Sequence, residues 1–240
     1  MSEYKPLRLM GTLLLALHSS GVVAGIYQLT MGAGREVCEA YRKDLEPHRE
    51  ATPMACQRQY APAAAGFAAP RWQGLDPQTH LPLLSKARIY LQQHNSFVSA
   101  MKLSDAEVER DTLLHLRGWV QANHVELRTA DLDLTGEGKL RKVLAMTEDG
   151  CGPHPVPGSR ITRLFVLNTA ATDIDTTAPR SWNDYYNATI ELYRGKPYVE
   201  FYAADDNWGK LLTGSGELDV LRFTPDGVAR VCTFSWTPKP

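Results

Sequence analysis

The chain has 240 residues, with 26 lysines and arginines against 27 aspartates and glutamates, and it is 43% hydrophobic and 22% charged. A near-neutral balance removes any overall electrostatic basis for gripping nucleic acid or an anionic membrane, and the composition is that of a folded rather than a disordered chain. The length permits one domain or two small ones.

The chain opens with Lys5 and Arg8, an apolar run from Leu9 to Leu17, and then Ser19, Ser20 and Gly21. Charged, apolar and small residues in that order define a secretion signal, and the run is too short for a membrane span, which needs about 20 apolar residues. Residues 1–24 are therefore expected to be a signal peptide cut after Ala24. The mature protein is expected to be periplasmic or secreted and not stably inserted in the membrane.

Residues 25–124 read as a helical region. Val37, Cys38, Tyr41 and Leu45 recur at helical spacing over 35–46, with Pro47 ending the run. Residues 61–70, rich in alanine and proline, read as a connector. Asp76-Pro77 is a helix entry, because the carboxylate can accept from orphan amides and proline fits the first turn. The stripe Leu81, Leu84, Ala87 and Leu91 carries that helix to about Gln92. Ser104 with Glu107 predicts a capping box before a helix that runs to about Ala122.

From Val125 the period becomes extended. Segments 125–130, 142–146, 163–168, 189–194, 197–202, 217–223 and 228–234 are rich in β-branched and aromatic residues and predict strands. Gly195-Lys196 and Pro225-Asp226-Gly227 predict hairpin turns. In the last strand Val228, Arg230, Cys232 and Phe234 are expected to share one face. The fold class that follows is α+β: N-terminal helices packed on a C-terminal, meandering antiparallel β-sheet in residues 125–240, stabilised by disulfides.

Four cysteines permit three pairings. Their division into a near pair and a distant pair favours Cys38 with Cys56 in the helical region and Cys151 with Cys232 in the β region. The absence of any C-x-x-C spacing argues against a redox or zinc-binding set.

The sharpest local motif is Asp131-Leu132-Asp133-Leu134-Thr135-Gly136, placed between two predicted strands. Oxygens at alternate positions of a glycine-containing loop can converge on a hard cation, so Asp131, Asp133 and Thr135 are candidate calcium ligands. Thr135 stands where a third carboxylate would be expected, and Lys142 stands where an EF-hand would place its glutamate. The opposing reading is that the two aspartates cap their own turn. The segment from Thr129 to Leu140 resembles a degenerate FG-GAP or VCBS-type turn. With Val37-Cys38-Glu39-Ala40-Tyr41 and Pro53-Met54-Ala55-Cys56, it makes the mature chain similar to exported proteins of Gram-negative bacteria. That resemblance implies no activity.

Asp205, Asp206 and Trp208 form an acidic, aromatic tip, and Trp182, Tyr185 and Tyr186 open an aromatic-rich stretch. Such side chains suit recognition surfaces as well as a sheet core. The histidines form no metalloprotease motif, and Gly214-Ser215-Gly216 lacks the spacing of a nucleophile elbow. No catalytic residue is singled out. The expectation is a non-catalytic binding protein of the bacterial envelope that recognises a protein or a cell-wall or sugar ligand through Trp182, Tyr185, Tyr186, Asp205, Asp206 and Trp208. The alternatives are a metal-assisted envelope hydrolase and a calcium-stabilised structural or assembly factor.

Overall fold

A computed structural model of the chain describes residues 25–45, 62–94, 115–122, 124–149, 160–183, 188–203 and 216–238. The expected leader, the Ser104–Glu107 cap, Cys56, Cys151, Tyr185, Tyr186, Asp205, Asp206 and Trp208 lie outside these residues. Every described strand pairing is antiparallel, and the strands form two sheets rather than one meander. The six-stranded sheet has the order β1 (Gly25–Met31), β10 (Gly227–Pro238), β9 (Gly216–Thr224), β8 (Lys196–Ala203), β7 (Ala188–Tyr193) and β2 (Phe67–Ala68). The four-stranded sheet runs β3 (Gln73–Leu75), β4 (Glu126–Leu132), β5 (Arg141–Asp149) and β6 (Arg160–Val166).

Alternation along these strands builds the core in layers. Ala130, Leu132, Val143, Ala145, Leu164 and Val166 meet Ala188, Ile190, Val199, Leu221 and Phe223 in one apolar cluster between the sheets. The intervening residues of the smaller sheet, Leu127, Leu144, Met146 and Phe165, cluster with Leu84, Ala87 and Tyr90 of α2 (Leu81–His94) and with Leu116 and Val120 of the helical segment 115–122. On the larger sheet, Leu218, Val220 and Phe234 cluster with Val37, Tyr41 and Leu45 of α1 (Glu36–Leu45).

Three strands come from the part of the chain read as helical. β1 pairs with β10, β2 with β7 and β3 with β4, so the first fifty described residues are woven into both sheets. Asp76 does cap a turn, accepting from the Gln78 amide at 2.9 Å, but α2 begins only at Leu81. The first hairpin is displaced by one residue. Arg194 (φ 51°) and Gly195 (φ 76°) are its two turn residues and Lys196 already pairs with Tyr193, as expected of a turn that needs two left-handed positions.

The expected disulfides are replaced by a different one. Cys38 bonds Cys232, 194 positions away, with a Cα separation of 5.6 Å. Neither sequence-favoured pair can then form. The cause is the β1–β10 pairing, which carries the start of α1 directly across the last strand. A bulge between Arg230 and Cys232 shifts the pattern of β10. Val228 therefore packs between the sheets while Cys232 and Phe234 face α1, instead of all sharing one face. Gly32 (φ 95°) makes the crossing possible, because a Cβ there would lie 2.5 Å from the Val231 carbonyl oxygen and 2.7 Å from Cys38 Sγ.

Candidate functional site

Beside the disulfide the α1 face opens into a groove of about 410 Å3. One wall is the beginning of α1, at Arg35, Glu36 and Val37, and the other is the β7–β8 turn with Arg194 and Lys196. Tyr193, Tyr198, Arg222 and Ala229 lie on cross-strand pairs at this end of the sheet: Tyr193 opposite Lys196, Tyr198 opposite Arg222, and Arg222 opposite Ala229. Arg230 and Val231 complete the lining. Cys38 and Cys232 directly follow Val37 and Val231, so the disulfide tethers one wall to the base.

Charge is the groove's main property. Among the described residues its lining holds five basic side chains, Arg35, Arg194, Lys196, Arg222 and Arg230, and one acid, Glu36. Arg194 pairs with Glu36 across the mouth, and both side chains are more than half exposed. Arg230 reaches Asp219 at 2.9 Å; Asp219 is buried and also accepts from Thr233 Oγ1 at 2.6 Å. Among the described residues Arg35, Lys196 and Arg222 have no acidic partner. Burial raises the Tyr198 phenol above its ordinary value, an effect that Arg222 opposes and Tyr193 and Glu36 reinforce. Arg194 also lies 5.5 Å from the centroid of the Tyr193 ring. The first turn of α1 adds backbone N–H groups that have no acceptor within the helix. Oxyanions are what this arrangement can hold, through charge, guanidinium forks and helix amides together.

The same sheet face carries two partly or fully buried acids. Glu200 is buried and accepts from Thr189 Oγ1 at 3.3 Å. Glu191, opposite Tyr198, has its carboxyl pushed up to about 7 by burial.

The acidic turn lies elsewhere. Asp133 accepts from the Gly136 and Glu137 amides with Oδ1 (2.9 and 3.1 Å) and from Gly138 with Oδ2 (2.7 Å). Asp131 pairs with Lys142, its cross-strand neighbour, at 2.9 Å. Thr135 stands at the edge of a second cavity, of about 210 Å3, between this turn, the segment Thr177–Pro179 and Pro225. Among the described residues no three His, Cys, Asp or Glu side chains converge as a metal site. Any cation at the turn would meet an aspartate already bonded to three amides and another facing an ammonium.

Trp182 borders that second cavity but belongs to the core. It is 5% exposed, packs edge-on against Phe223 at 5.7 Å, and donates from Nε1 to the Gly227 carbonyl at 2.6 Å. Gly227 in turn sits too close to Ser181 Oγ for a Cβ. Trp182 thus locks the 3-10 turn Arg180–Trp182 to the β9–β10 hairpin. Of the expected site residues that the structure describes, Thr135 and Trp182 border the second cavity, and Asp131 and Asp133 do not line it.

Sequence reasoning did not find the basic groove. Arg35, Arg194, Lys196, Arg222 and Arg230 follow no spacing rule. The one local trace was Lys196 and Tyr198 at alternate positions of a strand.

No protein-family model matches the chain, and no match was found among curated proteins or solved structures.

Proposed function

We propose that the protein is an exported binding protein, periplasmic or secreted, that holds an anionic envelope ligand in the basic groove beside α1. The observation that carries this reading is the excess of five cations over one acid in a single concavity of a chain whose net charge is −1. Where overall charge gives no attraction, a local concentration of one sign is what selects a ligand. The Cys38–Cys232 bond fits an oxidising compartment, and no helix among the described residues is long and apolar enough to cross a membrane.

The groove calls for ligand chemistry opposite to that of the acidic tip at Asp205 and Asp206. The ligand would bring phosphoryl or carboxylate groups, with Tyr193 and Tyr198 offering aromatic edges to whatever carries them. Titration calorimetry with tripolyphosphate and with a neutral oligosaccharide tests the reading. Tripolyphosphate is expected to bind, more weakly as salt rises, and the double variant Lys196→Glu/Arg222→Glu is expected to lose that binding. Equal binding by the variant, or none by the natural protein, would overturn it.

A further inference from the structure

Among the features outside the groove, the second cavity is half the size and lined by both signs of charge, and Glu191 and Glu200 line neither of the two. The groove itself carries one observation further. The one acid among the described lining residues, Glu36, is docked on Arg194 from the opposite wall. Glu36 also reinforces the raised pKa of Tyr198 on the groove floor, so its charge is felt inside and not only at the rim. An internal carboxylate thus already occupies part of a site built for oxyanions.

We propose that Glu36 is a built-in competitor, holding against Arg194 the place that a phosphoryl group of the ligand takes, and that the ligand carries at least two such groups. This rests on the anion-binding reading above. Charge sets the number of groups. With Arg230 neutralised by Asp219 and Arg194 released from Glu36, Arg35, Arg194, Lys196 and Arg222 face the ligand, which is more positive charge than one phosphomonoester can balance. Phosphate is favoured over carboxylate because three oxygens can engage several guanidinium forks and the α1 amides together. Binding then exchanges one ion pair for another: Arg194 turns from Glu36 to the ligand, and Glu36 is released to water.

The exchange has a modest cost, since an exposed pair contributes at most about 1 kcal/mol, so removing the competitor tightens binding by up to about fivefold. The test compares the natural protein, Glu36→Gln and, as a control for the change in net charge, Glu217→Gln, an exposed position away from the groove lining. The probes are tripolyphosphate, fructose 1,6-bisphosphate and tricarballylate. Glu36→Gln is expected to bind one or both phosphate probes two- to fivefold more tightly, with Glu217→Gln changing less. Which phosphate probe gains separates a free polyphosphate from a phosphorylated sugar as the source. If the natural protein binds the phosphate probes and Glu36→Gln binds them equally or more weakly, the competitor is refuted while the anion site stands. An equal gain for tricarballylate refutes the preference for phosphate. If no probe binds either protein, the anion-binding reading itself falls.

Discussion

The two outer faces of the sandwich are built by the same rule and serve opposite ends. On the smaller sheet Leu144, Met146 and Phe165 meet Leu84 and Ala87 of α2 in an apolar cluster. On the larger sheet α1 covers Leu218, Val220 and Phe234, but the same surface continues into tyrosines, two acids and the basic groove. One face gives the molecule stability, and the other combines stability with exposed chemistry, held together by a disulfide instead of a wider apolar contact. Charged side chains cannot be enclosed without partners, so a face lined with cations stays open to water and needs another source of rigidity.

The sharpest way to break this contrast is to remove the disulfide. Cys38→Ala/Cys232→Ala is expected to lose on the order of 4 to 5 kcal/mol, given a loop that spans most of the chain, and to weaken tripolyphosphate binding as α1 loosens from β10. Chemical denaturation and calorimetry on the same samples read both effects. Unchanged binding would show that the groove does not depend on the tether.

Phe165→Ala should cost about 3 to 5 kcal/mol by emptying a buried site, yet leave anion affinity in the surviving folded protein unaltered. A parallel loss of affinity would mean that the two faces are coupled through the sheets.

Glu191→Gln sharpens the comparison through pH. The carboxyl ionises near its ordinary 4.5 when unfolded and at about 7 when folded, so the folded state holds the extra proton between those values and stability falls as pH rises through the interval. The natural protein is expected to lose about 2 to 3 kcal/mol between pH 4.5 and pH 8 from this group. The variant should show a flatter profile and a higher melting temperature at pH 8. An identical profile would remove burial as the cause.

The smallest effect concerns the acidic turn. Asp133→Ala should cost about 1 to 2 kcal/mol through the loss of acceptors for three amides. Added calcium then sorts the two readings of the motif. A melting temperature that calcium raises in the natural protein, but not in Asp133→Ala, would establish a cation at the turn, because a ligand of the folded state alone must stabilise it.

Much of the secondary structure was legible in the sequence. Val37, Tyr41 and Leu45 announce α1 by period, and the strands from β4 to β10 follow from β-branched alternation with turn residues between them. β1 was not legible, since residues 25–31 fell at the start of the stretch read as helical. β2 and β3, at two and three residues, are too short to have a period. Missing β1 had wider effects. Without its pairing to β10 nothing brings Cys38 near Cys232, and the near-neighbour pairings look natural. The groove was hidden for the same reason, because its cations become neighbours only through the register of four strands and one helix. The bulge in β10 shows the limit of alternation: one extra residue reverses which side chains face the core.

The pairing of Gly25 with Pro238 has a temporal side. Among the described residues β1 pairs only with β10, so a chain delivered N-terminus first must keep residues 25–31 waiting until 227–238 have emerged. Closure of the larger sheet is therefore a late event, and the same arrival delivers Cys232 to Cys38. Until that moment the walls of the groove are not yet joined, because the bond that ties α1 to β10 cannot form before Cys232 arrives.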